Sequence, residues 1–357
     1  MTSTTNSNLP EPDQTVPYLS YKVPNENDEP PLNGKLYVYG DPSSPTMTIL
    51  CAGFADDHTV FLPFAKALSA KQVLVGVMCI PGYDDRPEDG MPWENHPAQG
   101  FTFDETAQSV REAVKALSNV STHSNPQLVG VFHDWAIQPG SRWAQQLEKE
   151  FRDDPTVPLK PDKMVFFDVL PKCQQDPTMG GGSFRELLSN SYMFVFGTAS
   201  WLSTNVSKYL GPLTFIPPMM FLMVTGIFPI YPFEQKTTEV LYGDKKPGLL
   251  RMSYMMYMYR YGIYDAYKNG ERDSISLHED WKNTPVLYVY GKKKKAMYHS
   301  EESIKILQKE ETENLSLCRV RGIEEAGHFF YVPEQKLEES LQHVVDFIEA
   351  ENTFATN

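Results

Sequence analysis

The chain has 357 residues and a formal net charge of −14 at pH 7, and 41% of its residues are hydrophobic. This length suits one large α/β domain with an inserted subdomain. No basic stripe interrupts the acidic residues, which argues against nucleic acid as a partner. Residues 1–30 are polar, without the basic start or apolar stretch of a signal peptide, and predict a flexible leader.

The cysteines indicate the cellular compartment. Cys51, Cys79, Cys173 and Cys318 lie far apart, and two of them fall inside strand-like apolar runs. This distribution predicts reduced, buried thiols and argues against a disulfide framework. Together with the lack of a signal peptide, it predicts an intracellular, cytoplasmic protein.

Short apolar runs bounded by turn residues predict strands at residues 35–40, 46–54, 72–82, 127–132, 163–171 and 285–291. Each run is too continuous for a half-exposed strand, as expected of parallel strands covered on both faces. Helical patterns fall between them, at residues 58–70, 102–118, 136–150, 300–310 and 334–349. The alternation predicts an α/β fold with a mostly parallel, doubly wound sheet.

The alternation stops at residues 172–283, where helix-rich stretches replace strands. We interpret this region as a helical lid inserted between two parts of the core, residues 31–171 and 284–357. Residues 209–233 carry no charge and hold five prolines, which disfavour a regular membrane-spanning helix. A buried lid core is the favoured interpretation of this segment, and peripheral contact with a membrane is the alternative.

Residues 127–134 read Q-L-V-G-V-F-H-D, and a helical pattern follows. A strand, a tight turn and a helix in this order form a nucleophile elbow, which places Asp134 beside a helix N-terminus. The G-x-S-x-G motif of serine hydrolases is missing from the sequence, so lipase or esterase chemistry is disfavoured. A carboxylate can instead displace a leaving group at an sp³ carbon, giving an alkyl-enzyme ester that water cleaves. The structural alternative is that Asp134 only caps the helix.

At H-D-W the sequence resembles the epoxide hydrolase and haloalkane dehalogenase branch of the α/β-hydrolases. The resemblance covers about residues 35–350 and implies that fold, with Asp134 as the nucleophile. It also implies a water-activating base at A-G-H, which is His328, between a strand-like run at residues 315–322 and the final helix. No metal or organic cofactor is implied, since no histidine shows metal-ligand spacing.

Many relatives place the acid that orients this histidine in a G-x-x-D motif, but residues 291–295 read G-K-K-K-K. Haloalkane and fluoroacetate dehalogenases have it after the strand that follows the elbow, where this chain has Asp168. We therefore assign Asp168 as the orienting acid, with binding of local N–H groups as the structural alternative. Relatives have H-G-x-P at the oxyanion loop, where residues 52–55 read A-G-F-A, and backbone N–H groups of Phe54 and Trp135 are the expected donors.

Epoxide hydrolases of this branch open the ring with two lid tyrosines. The matching positions here are Tyr192, in S-Y-M-F, and Tyr259, before Arg260, although an aromatic core is the default role of each. The halide-binding and carboxylate-binding residues of fluoroacetate dehalogenases are not recognisable.

The expected reaction is hydrolysis of a small lipophilic epoxide to a diol. The alternatives are a dehalogenase with the same ester and a non-catalytic binding protein; the sequence leaves the oligomeric state open.

Overall fold

A computed structural model describes residues 10–21, 32–54, 56–83, 99–154, 159–169, 184–224, 249–262, 284–293, 301–313, 317–333 and 335–350. Its strands form one sheet of eight in the order β1-β2-β4-β3-β5-β6-β7-β8. The pairs β1/β2 and β2/β4 are antiparallel, and all other neighbours are parallel. The strands are β1 Gln14–Tyr21, β2 Leu32–Tyr39, β3 Thr46–Cys51, β4 Val73–Met78, β5 Gln127–His133, β6 Lys163–Phe167, β7 Val286–Gly291 and β8 Cys318–Ile323.

Helices cover both faces of this sheet, because the central strands are apolar on both sides. The described helices are α1 Leu62–Ser69, α2 Phe103–Val120, α3 Ile137–Asp153, α4 Phe184–Asn205, α5 Leu210–Val224, α6 Leu249–Met255, α7 Tyr257–Arg260, α8 Glu301–Thr312 and α9 Leu337–Glu349. Apolar residues of α2, α3 and α8 pack on one face of the sheet, and those of α1 and α9 pack on the other. In β3, for example, Ile49 faces the first layer and Leu50 the second.

The segment expected to be a flexible leader contains a strand. β1 pairs antiparallel with β2 at the edge of the sheet. Its sequence, Q-T-V-P-Y-L-S-Y, is half polar and includes Pro17, a residue that sheets tolerate at their edges. Residues 14–21 therefore belong to the sheet, which corrects the expectation for that part of the leader.

The helices α4 to α7 lie between β6 and β7, in the region predicted as the lid. Helix α5 continues through Pro217 and Pro218, although the five prolines of residues 209–233 argue against a regular helix. Phe215 of α5 is buried, whereas Tyr209 and Leu213 are exposed. The side chains of residues 219–224, and residues 225–233 entirely, lie outside the described part of the chain. Nowhere in the described residues does a helix have the length and apolarity needed to cross a membrane.

Lys163, the first residue of β6, holds the end of the final helix. The side chain is buried, and its Nζ donates hydrogen bonds to the carbonyls of Phe347, Ile348 and Ala350 at 2.8, 2.8 and 2.7 Å. Burial lowers the pKa of Lys163 to about 8, so the group is still mainly an ammonium ion with three N–H donors at neutral pH. Three carbonyls at the C-terminal end of α9 are thereby satisfied.

We expect Lys163→Met to lower the free energy of unfolding by about 3 kcal/mol, because buried carbonyls lose a charged donor. Urea denaturation at pH 7 measures the change. Lys309→Met is the matched control, since the Lys309 side chain is 71% exposed and its loss should cost no more than about 0.5 kcal/mol. Equal effects of the two substitutions would show that Lys163 does not cap the helix.

Candidate active site

The turn after β5 carries Asp134. β5 ends at His133, and a short 3-10 helix, Asp134–Ala136, leads directly into α3. Asp134 has φ 51°, in the left-handed region that is costly for a residue with a Cβ atom. A sharp turn of this kind between a strand and a helix is the geometry of a nucleophile elbow. The residue is 5% exposed, so its carboxylate lies in a largely desolvated environment.

The loop after β3 contacts this elbow. The backbone N–H of Phe54 donates to Asp134 Oδ2 at 3.0 Å. Gly53 allows the loop after β3 to lie this close to the turn after β5, because a Cβ atom at residue 53 would lie 2.3 Å from the nitrogen of Trp135. Of the two N–H groups expected to bind an oxyanion, that of Phe54 contacts the Asp134 carboxylate, and the Trp135 nitrogen lies next to Gly53 in the same contact.

Asp168 follows β6 directly and meets His328 across the end of the sheet. Its Oδ2 and the Nδ1 of His328 form a hydrogen bond, and both side chains are buried. The backbone of Asp168 has φ 71°; its N–H donates to the Val289 carbonyl at 2.8 Å, and its own carbonyl accepts from the Tyr288 hydroxyl at 3.0 Å. Burying a carboxylate is costly unless it is hydrogen-bonded, so His328 and these backbone contacts together hold the acid in place.

Two lysines, Lys292 and Lys293, begin the segment after β7, in which many relatives have the acid. The backbone N–H groups of Lys292 and Lys293 donate to the carbonyls of Ile323 and Ala326, at 3.0 and 2.9 Å. Their side chains form exposed ion pairs with Glu324 and Glu325. These two lysines therefore face solvent and their acidic neighbours, while Lys294 and Lys295 lie outside the described residues.

A second histidine supports the backbone of His328. The backbone carbonyl of His328 can only accept, which assigns the proton of the neutral His133 ring to Nε2, so Nδ1 accepts from the Tyr331 hydroxyl at 3.0 Å. That Nε2–H donates to the backbone carbonyl of His328 at 3.3 Å, and the two imidazole rings lie 4.3 Å apart. The sequence indicates a supporting role for His133 in the elbow, but it gives no signal for Tyr331.

Three side chains of the kinds that bind metal ions meet at this end of the sheet. Ligand atoms of His133, Asp168 and His328 lie within 4.8 Å of one another, a spacing that the described residues show at no other group of three. Asp168 Oδ2 and His328 Nδ1 are bonded directly to each other, which leaves no room for an ion between them. The arrangement fits an acid–base pair better than a ligand set.

Tyr259 of α7 reaches the elbow. Its buried ring packs against the rings of Trp135, Phe54 and Phe196, with centroids 4.5, 5.1 and 5.1 Å away. Phe215 and Met256 complete this apolar cluster. Tyr192 falls within α4, but its side chain lies outside the described residues. The structure thus brings one of the two expected tyrosines to the elbow.

Tyr83, in the turn after β4, is a neighbour that the sequence does not indicate. Burial raises its pKa well above the usual value, and the negative charge of Asp134 raises it further. Its hydroxyl donates to the Met255 carbonyl at 2.7 Å, while the Tyr257 hydroxyl donates to the Pro81 carbonyl at 2.9 Å. This reciprocal pair joins α6 and α7 to the turn after β4. The sequence around Tyr83, I-P-G-Y at residues 80–83, predicts only a turn.

Comparison with solved structures gives matches along most of the chain. An acyltransferase candidate from Salmonella enterica has a TM-score of 0.57 and 15% identity, covering 89% of this chain and 91% of that one. An epoxide hydrolase from Vigna radiata has a TM-score of 0.55 and 16% identity, covering 89% and 94%. Epoxide hydrolases of the α/β-hydrolase superfamily, from hot-environment metagenomes, match with a TM-score of 0.56 and 12% identity, covering 90% and 96%.

The chain has the α/β-hydrolase fold. This confirms the predicted fold class, a mostly parallel sheet with helices on both faces. No protein-family model matches the sequence, and no curated protein is a significant match. The α/β-hydrolase fold accounts for the position of the site, since ligands of open parallel sheets bind at the carboxyl ends of the strands.

We expect Tyr331→Phe to lower the free energy of unfolding by about 1–2 kcal/mol, because His133 Nδ1 loses its buried donor while the ring packing is kept. Urea denaturation measures the change. Tyr209→Phe removes a hydroxyl from a side chain that is 61% exposed and should have no measurable effect. If Tyr331→Phe were equally silent, the hydrogen bond between Tyr331 and His133 would contribute nothing to stability, which would contradict its supporting role.

Proposed function

We propose that this α/β-hydrolase-fold protein hydrolyses a lipophilic epoxide to a diol through a covalent ester on Asp134. The observation that carries the proposal is that two features meet at the carboxyl ends of the parallel strands. A carboxylate at a positive-φ elbow accepts the Phe54 N–H, and the pair of His328 and Asp168 lies at the end of the neighbouring strand, with the His328 ring 4.3 Å from that of His133. A nucleophile and a base with its orienting acid are the groups that a two-step displacement needs.

In the first step, Asp134 attacks a carbon of the epoxide. Oδ2 accepts the Phe54 N–H and becomes the carbonyl oxygen of the ester, so Oδ1 is the attacking atom. The ring C–O bond breaks, and its electron pair stays on the epoxide oxygen, which takes a proton from the Tyr259 hydroxyl. A phenol suits this task because it stays protonated at neutral pH yet donates strongly to an alkoxide. Tyr192 is the proposed second donor.

In the second step, His328 removes a proton from water through Nε2, and the water oxygen attacks the carbonyl carbon of the ester. The N–H groups of Phe54 and Trp135 stabilise the oxyanion that forms. The acyl C–O bond then breaks, and the leaving alkoxide takes the proton from His328 to complete the diol, which departs with the oxygen that Asp134 contributed. The carboxylic acid regenerated at Asp134 returns a proton to the Tyr259 phenolate. Asp168 keeps the His328 proton on Nδ1 and stabilises the imidazolium ion.

The substrate class follows from the walls of the site. Tyr259, Phe196 and Phe215 of the lid pack with Phe54 and Trp135 into one apolar cluster over the elbow. Apolar and aromatic walls with a few polar groups are typical of sites for lipophilic ligands. The epoxide hydrolases among the structural matches also support this choice of reaction.

The ester can be trapped. We expect His328→Gln, incubated with a lipophilic epoxide such as styrene oxide, to gain the mass of one epoxide on the peptide that contains Asp134. Loss of the base should slow ester hydrolysis by about 100-fold or more while leaving the attack intact. Mass spectrometry of the intact and digested protein measures the adduct, and His343→Gln, which changes a histidine of α9, should turn over normally.

The double variant Asp134→Asn/His328→Gln should form no adduct. An adduct from haloalkanes but not from epoxides, with release of halide, would favour the dehalogenase alternative. A folded His328→Gln protein that forms no adduct with either class of compound would contradict the covalent mechanism and favour a binding protein.

A further inference from the structure

The exposed large apolar side chains of the described residues all lie in the hairpin formed by α4 and α5. They are Phe194, Trp201, Val206, Tyr209 and Leu213, with exposed fractions of 54, 45, 60, 61 and 68%. The last four fall within residues 201–213, at the turn that joins the two helices. We call these four residues the lid tip. A cluster of this kind in water is unfavourable and indicates an interaction surface.

The charge around the lid tip differs from that of the rest of the chain. Residues 187–233 contain one charged residue, Lys208, whereas the whole protein carries a net charge of −14. Lys208 is exposed at the tip, and its Nζ lies 5.6 Å from the centroid of the Tyr209 ring. Within residues 187–233 the tip is therefore an apolar surface with one positive charge and no acidic group.

Polar side chains near the lid tip are bonded within the lid. Ser203, Thr204 and Asn205 donate to the backbone carbonyls of Lys208, Ser200 and Trp201, and Thr214 donates to that of Leu210. A polar group that already has a partner loses less free energy when it leaves water. Pro217, in contrast, has no N–H to donate to the Leu213 carbonyl, so burying this carbonyl in hydrocarbon would cost free energy. The tip is thus suited to the hydrated interface of a membrane and not to its hydrocarbon core.

We propose that the lid tip docks on the surface of a lipid membrane. Trp and Tyr are the side chains that favour the membrane–water interface, Leu and Val add apolar area, and Lys208 can bind a lipid phosphate. A second copy of the chain fits less well. A symmetric contact at the tip would bring two Lys208 side chains together, with no acidic residue of residues 187–233 to pair with them.

The inner faces of the same helices connect this surface to the candidate active site. Phe196 of α4 and Phe215 of α5 pack with Tyr259 against Phe54 and Trp135. Docking at the tip would therefore hold the lid, and the apolar cluster beneath it, close to the phase in which lipophilic compounds dissolve. The docking proposal itself does not depend on the reaction at Asp134.

Vesicle flotation with the full chain tests the proposal. Wild-type protein should float with phosphatidylcholine vesicles, and adding phosphatidylserine should strengthen the binding. We expect Trp201→Glu/Leu213→Glu to weaken the partition constant by about tenfold or more, since two apolar contacts are lost. Lys208→Gln should weaken it by about fivefold with phosphatidylserine vesicles only.

The charge-matched control is Thr122→Glu/Gln308→Glu, which adds the same two negative charges at exposed positions. Thr122 lies before the start of β5, whereas Asp134 follows the end of this strand, so the two residues are at opposite ends of the parallel strands. This control should bind vesicles within about twofold of the wild type, as expected of surface changes outside the contact. Thermal melting verifies that each variant is folded, and the milder pair Tyr209→Gln/Leu213→Gln replaces the first if it is not.

Three outcomes would overturn the proposal. Wild-type protein could fail to float with either vesicle. The control could lose binding as strongly as the lid-tip variant, which would mean that overall charge governs the association. Wild-type protein could also be a dimer in solution that the lid-tip substitutions dissociate, without any vesicle binding, which would identify the tip as an interface between two copies of the chain.

Discussion

The close approach of Gly53 to the elbow is the constraint on which the site depends. A Cβ atom at this position would lie 2.3 Å from the Trp135 nitrogen and 2.8 Å from Asp134 Oδ2. The two loops follow neighbouring parallel strands, β3 and β5, which are paired as far as Cys51 and Phe132. Their contact places the Phe54 N–H on the carboxylate before any substrate arrives. A preorganised donor is worth more than one that must reorient during the reaction.

The sequence predicts structure best where the pattern is formed by residues that are adjacent in the chain. Continuous apolar runs predicted six of the eight strands in the described sheet, because a strand buried on both faces needs such a run, and the strand-like stretch at residues 315–322 indicated β8. The elbow at Asp134 follows from a strand, an acidic turn residue and a helical pattern that are adjacent in the chain. Asp168 was placed by the end of a strand together with the lysines at residues 292–295, where relatives have the acid.

The remaining features depend on contacts between distant residues. Strand β1 is half polar because it lies at the edge of the sheet, so its pattern resembles that of a leader. Tyr331 lies 198 residues from His133, and no local pattern indicates that hydrogen bond. The contact of Tyr83 with Met255 joins the turn after β4 to α6 and spans 172 residues. Such pairs become visible only when the strands and helices are assembled.

A single turnover in H₂¹⁸O, with enzyme in excess over a lipophilic epoxide, tests the covalent mechanism most directly. If Asp134 attacks the epoxide and water then attacks the ester carbonyl, the diol takes its new oxygen from the aspartate. The heavy oxygen should therefore appear in the peptide that contains Asp134, and the first diol formed should be unlabelled. Heavy oxygen in that first diol, with an unlabelled peptide, would show direct attack of water on the epoxide and would contradict the account.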